Sequence, residues 1–415
     1  MTVTRRATFR IYPTPTQALV MDEWLEMHRE LYNAALQERR DAWKRCKVSV
    51  SVYDQMRQLT EIKPLRPEFR ALGIHSLQFT LRKVDLAYQA FFRRHKAGQN
   101  PGYPRFKGKA FFRGWSYPDH DTWKLQQATP GKHGSLVIRG LGKLRIRGKA
   151  RDWGKDTTLT LTRDGEGLWF ASVTVDCEPV RHAGDEAIGL DWGVEAYATL
   201  STGERVENPR LLRKAETRLK LAQRDFSRKV GPDRRRKAQK PSQRWLKAKE
   251  RLRVIHREVA NRRKDFRHQL SAKLIQRAAL LATEALNLMG MTASAKGTAE
   301  KPGKKVKQKA GPNRAILDTA PGEFLKMLAY KAEEAGTHLH LLEPREWKPS
   351  QTCPGCGAQS KKPLKMRLYA CPACGFTAHR DHASALVMIN VALLGKAWEP
   401  GLRGEVLVGS PARAS

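Results

Sequence analysis

Apolar positions along this chain change period several times, and each change marks a structural boundary. Residues 4–12 (Thr-Arg-Arg-Ala-Thr-Phe-Arg-Ile-Tyr) are basic and β-prone, which predicts one strand. Thr14 and Pro15 then supply an N-cap and a first-turn proline. Val20, Trp24, Met27, Leu31 and Ala34 follow at spacings of four and three, and Leu77, Leu81, Val84, Tyr88 and Phe91 make a second such stripe. Both stripes read as the core of a helical insertion over 14–98, not as ligand positions. From about 134 to 177 the period drops to two. Leu144 and Ile146 alternate with Lys143, Arg145 and Arg147, 158–162 is strand-like, and Asp164-Gly165 with Gly167 marks a turn into 168–175. These short antiparallel strands, with the N-terminal strand added, predict a small β-barrel.

The second half opens on Ala187-Ile-Gly-Leu-Asp191-Trp-Gly193, an apolar strand carrying one carboxylate, followed by a strand at 196–200 and a turn at 201–203. Residues 207–280 read as long charged helices broken near 230–233, and 278–284 as an apolar strand ending in Glu284. The Lys/Gly/Ala-rich stretch 291–313 is expected to be mobile. A helix at 322–335, a strand at 338–342 and a buried helix over 383–394 complete the pattern; a disordered tail is expected over 397–415. The fold class is α/β and multidomain.

Charge narrows the partners. Lys and Arg total 78 against 41 acids, a formal charge of +37, which points to a polyanion. Between Arg210 and Arg267 there are 23 basic and 6 acidic residues, an imbalance that suits a phosphate-facing surface better than an ordinary solvated helix. No apolar run reaches the roughly 20 residues needed to span a bilayer, so no membrane partner is expected. The first six residues lack the apolar core of a secretion signal, and only Cys46 and Cys177 stand apart from one cysteine cluster. A reducing, cytoplasmic location is the expectation.

That cluster is Cys353-Pro-Gly-Cys356, fourteen residues, then Cys371-Pro-Ala-Cys374. Two such pairs set four thiolates at tetrahedral corners, which suits a structural Zn²⁺; two disulfides or four unrelated thiols are the alternatives. In 102–115, rings alternate with cations, and Tyr103, Arg105, Phe106 and Lys107 are candidate RNA contacts. The alternative there is a solvated loop with its rings tucked against the helices. Asp191, Glu284 and Asp381 each end a strand or start a helix; taken singly, such acids are turn formers or caps.

Together they resemble the TnpB family, RNA-guided endonucleases of insertion sequences, and the related compact type V CRISPR effectors. The colinear match runs through Arg10-Ile-Tyr-Pro13 with Gln17, Gly102-x-Pro-Arg-Phe-Lys107, Asp191-Trp-Gly193, Thr283-Glu284, Glu323-Phe, Tyr330-Lys-Ala332, Pro349-Ser-Gln-Thr-Cys353 and Arg380-Asp381. The resemblance implies a wedge β-barrel (1–12 and 125–180) and a helical recognition domain (14–120). It also implies an RNase H-like RuvC nuclease (185–350 and 381–396) interrupted by a zinc-ribbon insert (351–380) that binds target nucleic acid. Asp191, Glu284 and Asp381 match the family's Mg²⁺-binding acids, and Arg367 matches an arginine that steadies the scissile phosphate. The implied partners are a guide RNA, one protein per guide, and double-stranded target DNA cut beside a short flanking motif. Ala383 stands where the family commonly has Asn, and Pro321-Gly322 replaces its usual Trp-Gly. A nuclease-poor RNA-guided repressor, a CRISPR-associated effector and a direct zinc-ribbon DNA binder are the competing readings.

Overall fold

A capping box starts the first helix, as the Thr14-Pro15 signal predicts. The Thr14 hydroxyl accepts from the Gln17 amide at 3.2 Å, and Gln17 Oε1 accepts from the Thr14 amide at 3.0 Å. Gln17 Nε2 also donates to the carbonyls of Leu141 and Lys143, tying the helix start to a segment 124 to 126 residues away. The structure is a computed structural model that describes residues 2–129, 132–150, 153–232, 239–298, 300–361, 363 and 366–398. Its contacts gather into two compact units, Met1–Pro179 and Val180–Ser415. Of the expected tail, 399–415 lie outside the described residues, as does Asp233 in the expected helix break.

The first unit comprises β1 (Val3–Tyr12), α1 (Pro15–Asp41), α2 (Val52–Leu65), α3 (Ile74–Lys96), β2 (Gly114–Tyr117), β3 (Trp123–Gln126), β4 (Gly134–Ile138), β5 (Gly142–Arg147), β6 (Lys155–Arg163) and β7 (Trp169–Cys177). The strands form one antiparallel sheet ordered β2-β6-β7-β1-β5-β4-β3. β2 and β3 are its two ends, so the expected closed barrel is corrected to a half-barrel. One face is apolar at alternate positions (Phe9, Ile11, Leu144, Ile146, Leu159, Leu161, Val173), and it packs with Trp24 and Leu31 of α1 and Leu77, Leu81, Val84 and Tyr88 of α3, whereas Ala34 of the expected stripe is exposed. Helices close that face in place of further strands. β2 also falls within 14–120, the stretch assigned from sequence to the helical domain.

At the centre of this core, Trp115 is fully buried between Trp24 and Trp169, with ring centroids 6.4 and 5.6 Å away. The His28 ring stacks on Trp115 at 5.6 Å and hydrogen-bonds Thr80 Oγ1 at 2.8 Å and Ser76 Oγ at 3.3 Å.

The second unit contains β8 (Glu186–Trp192), β9 (Ala196–Leu200), β10 (Arg205–Glu207), α4 (Leu211–Ser227), α5 (Gln243–Arg277), β11 (Ala278–Glu284), α6 (Leu288–Met291), α7 (Val306–Thr319), α8 (Pro321–Ala335), β12 (His338–Leu342), α9 (Pro344–Trp347), β13 (Leu368–Ala370), β14 (Thr377–His379) and α10 (Arg380–Leu394). Its five-stranded sheet runs β10-β9-β8-β11-β12, with β8, β11 and β12 parallel. α5 and α8 cover one face through Leu270, Leu274, Phe324 and Leu328; α10 covers the other through Val387, Met388 and Val391. Within the stretch expected to be mobile, α7 forms although Pro312 lies inside it. Tertiary bonds override the weak propensity: Asn313 Nδ2 donates to Thr292 O at 2.9 Å and Lys309 Nζ to Met291 O at 3.0 Å. Among the described residues no helix is long and apolar enough to cross a membrane.

Complete burial, with the charge of Lys83 adding to it, pushes the pKa of His28 from 6.5 down to about 3. The unfolded chain therefore takes up a proton that the folded core refuses. Stability from this site is fully present above the unfolded value and is lost progressively as pH falls toward the folded one. Melting temperatures measured from neutral pH downward should fall less steeply for His28→Gln than for the parent chain. Parallel curves would show that His28 does not carry this part of the acid response.

Candidate active site

The site is built on an alternation within β8. Ile188 and Leu190 are fully buried toward α5 and α8, so Gly189 and Asp191 face the opposite side, where α10 lies. A Cβ at Gly189 would sit 2.0 Å from the Ala385 carbonyl oxygen, a distance no side chain tolerates. Glycine thus lets the backbone of α10 rest directly on the strand. That contact sets the helix's first turn beside the end of β8, and Ser384 Oγ lies 3.5 Å from Asp191 Oδ1.

The neighbouring strand brings the second acid. β11 runs parallel to β8 with Thr283 level with Leu190, and Thr283 Oγ1 donates to Leu190 O at 2.8 Å. The next residues along each strand are Glu284 and Asp191, on the α10 face with Ala282. Asp381 occupies the first turn of α10, where the Nδ1 of His379 accepts from the Asp381 amide at 3.3 Å.

Electrostatics record the convergence. The Asp191 carboxyl is held well above the usual carboxylate range, first by burial and then by the charges of Glu284 and Asp381. Arg380 and the Ser384 hydroxyl offset part of this. Burial also raises Glu284. Hard carboxylate oxygens at the end of a parallel pair are the donor type that Mg²⁺ takes. They are set more widely than the cysteines: among the described residues, the groups whose ligand atoms all lie within 4.8 Å of one another are the four cysteines and His75/Asp119/Asp121.

Cys353 Sγ lies 3.6 Å from Cys374 Sγ, and Cys356 Sγ 3.6 Å from Cys371 Sγ. A disulfide needs about 2.05 Å, so the paired-disulfide alternative is excluded. Tetrahedral Zn–S bonds of about 2.3 Å imply sulfur edges of about 3.8 Å, which the cluster fits. Each knuckle closes on itself: Gly357 N–H donates to Cys353 O at 2.9 Å and Gly375 N–H to Cys371 O at 3.0 Å. Both glycines have φ of 76°, a left-handed conformation that other residues rarely adopt. The β13–β14 hairpin then runs into α10 without a break, and the Arg380 amide donates to Arg367 O at 2.7 Å.

The remaining sequence candidates have other partners. The Arg367 guanidinium pairs with Glu195, and both line a cavity of about 890 Å³ with Arg210, Arg213 and His256. In 102–115, Phe112 and Trp115 belong to the core, so for these two rings the packing alternative holds. Tyr103 O–H donates to Tyr88 Oη at 2.9 Å, Lys107 is tied through its backbone to Asn33 and Arg29, and Arg105 is exposed. Phe106 is half exposed beneath Arg40. Sequence reading did not assign roles to Gly189, Ser384 or Glu195. A glycine inside an apolar strand was the available signal for the first.

The Gly189 contact can be tested. Gly189→Ala forces a methyl against a backbone carbonyl that cannot swing away, so it should destabilise the second unit by about 3 kcal/mol, the upper end for overpacking. Urea unfolding measures it, and unchanged stability would show that α10 is free to lift.

Comparison with known proteins places this geometry. The family profile OrfB_IS605, described as "Probable transposase", matches residues 170–295; a "Cas12f1-like, TNB domain" matches 322–388 and a "Helix-turn-helix domain" 1–47. A protein of Streptomyces pristinaespiralis named "Putative RNA-guided DNA endonuclease" is 30% identical over 97% of this chain and 92% of its own length. An Escherichia coli K12 protein, "Putative RNA-guided DNA endonuclease InsQ", is 32% identical over 74% of this chain and 71% of its own. In fold, the chain is similar to Cas12f1 in a complex with single-guide RNA and target DNA, with a TM-score of 0.59 at 11% identity, covering 94% of this chain and 99% of that one. Full-length identity to the first relative and the three colinear profile matches make one statement: the chain belongs to the TnpB (OrfB) family.

Proposed function

We propose that this chain is an RNA-guided DNA endonuclease whose second unit cuts phosphodiester bonds in an RNase H-like, RuvC-type site. The observation that carries the reading is the meeting of Asp191, Glu284 and Asp381, from two parallel strands and one helix, at one end of the sheet. Relatives named for this activity support it, as does the charge of +37, which suits long contact with a guide RNA and a DNA duplex.

The three acids would hold Mg²⁺. Bound there, the metal supplies an activated water and stabilises the leaving oxygen. The protein's own part is placement. Gly189 sets the height of α10 over β8, Ser384 steadies one oxygen of Asp191, and His379 orients the turn bearing Asp381. Arg380 adds positive charge beside the acids, where a phosphate must approach. The four cysteines would hold Zn²⁺ and brace the hairpin that leads into α10, so the ribbon's order is passed on to Asp381.

On this reading, residues 1–12 and 125–180 serve as the wedge and 14–120 as the recognition domain. Residues 351–380 are the target-nucleic-acid-binding insert, and one chain acts with one guide RNA. Arg367 is proposed to leave Glu195 for a phosphate of the bound strand.

Asp191→Ala, Glu284→Ala and Asp381→Ala should each lower Mg²⁺-dependent plasmid cleavage by several orders of magnitude while guide RNA stays bound. A variant that cuts normally removes its residue from the site. Separately, elemental analysis should find one zinc per chain, lost in Cys371→Ser together with protection of the 377–394 amides from hydrogen exchange. Protein purified without chelator and free of zinc would end the zinc reading.

A further inference from the structure

α1 does not end in an ordinary turn. Residues Ala42–Cys46 wind into a π-helical turn, and Lys47 closes it in a left-handed conformation with φ of 58°. Such a widened turn often marks a functional position. Here it presents Trp43 with 55% of its surface exposed, although Trp is the largest apolar side chain a fold can bury.

Two adjoining cavities share Trp43 and Tyr103. The larger, about 710 Å³, has Phe92 as a further exposed ring, and its lining includes Arg39. That volume lies within the roughly 300–1,000 Å³ of sites for small planar ligands. The Arg39 side chain is only 8% exposed, with Nε donating to Gln55 Oε1 at 2.9 Å and Nη1 to Asp85 Oδ1 at 2.9 Å. Its Nη2 is buried and has no hydrogen-bond partner. Held in this way, the guanidinium lies over the ring of Tyr88, and the exposed rings around the open cleft fit the flat face of an aromatic heterocycle. The smaller cavity, about 450 Å³, is lined by Arg40, Lys44 and Arg105. Cations beside a ring-walled slot fit the phosphates attached to such a base.

We infer that the cleft between Trp43 and Tyr103 holds one unstacked nucleotide of a single strand, with its base against the rings and its phosphates at Arg40, Lys44 and Arg105. The inference rests on the RNA-guided reading for its ligand class and goes beyond it in naming a pocket. Guide RNA and displaced DNA offer the same chemistry, so both belong in the test.

The experiment uses the full chain carrying Asp191→Ala, so that probes are not cut, with unstructured RNA and DNA oligonucleotides of one sequence. Affinities are measured across a salt series beside the melting temperature. Trp43→Ala should weaken binding about tenfold, as loss of one base stack does, with the salt slope and melting temperature unchanged. Trp43→Phe should restore most of the loss. Oligonucleotides carrying 5-iodouracil should crosslink to the peptides of Trp43 or Tyr103. A loss confined to RNA assigns the pocket to the guide, and one confined to DNA assigns it to the displaced strand; either upholds it. Trp43→Ala binding both strands within twofold of its parent overturns the pocket and leaves the RNA-guided reading standing. A parent chain that binds neither strand overturns both.

Discussion

The second unit is organised by one close approach, the backbone of α10 lying on the bare backbone of Gly189. Helices usually stand off a sheet by the depth of two layers of side chains. Removing one layer at a single point lowers the helix there and fixes its register along the strand. Because Asp191 lies two residues beyond Gly189 on the same face, the contact also determines which turn of α10 can reach it. Asp381 and Ser384 are the residues that do.

Such placement works against the acids' own electrostatics. Three half-buried carboxylates drawn toward one another favour protonation or an added cation. Partial burial makes that demand sharper, since less water is left to screen the charges. Nothing in this arrangement benefits folding by itself: it is tolerated because the apolar contacts of α5, α8 and α10 on the two sheet faces hold the strands in place. The cysteine hairpin contributes at the N-terminal end of the same helix, next to Asp381. Its last strand becomes α10 with no intervening loop, so order in a small domain without much core of its own is transmitted to a carboxylate.

In the first unit, aromatic residues divide by the same logic of closeness. Trp115, backed by Trp169, meets Trp24 and His28 across the gap between half-barrel and helices, and this area holds the two layers together. Trp43, Phe92 and Phe106 lie at the rim, where neighbouring cations keep the surface wet. Composition cannot distinguish the two groups, because both contain rings spaced among Lys and Arg.

Local pattern by itself determined much of this protein. The periods of four and three announced α1 and α3, alternation announced β5 to β7, and Thr14-Pro15 announced a helix start, because each depends on neighbours a few residues away. Two Cys-x-x-Cys pairs announced their cluster, since thiol spacing constrains geometry directly. The three acids stood out only as a colinear set matching a family; singly, each looked like a turn or a cap. Tertiary structure decided the rest. It left the half-barrel open because helices cover the face that more strands would have closed. It made a helix of the Lys-rich stretch at α7, whose stabilising bonds come from carbonyls distant in sequence. It turned Trp115 inward and Trp43 outward, and it gave Arg367 the partner Glu195. Each of these depends on contacts between residues far apart in the chain, and a periodicity read within one segment holds no record of them.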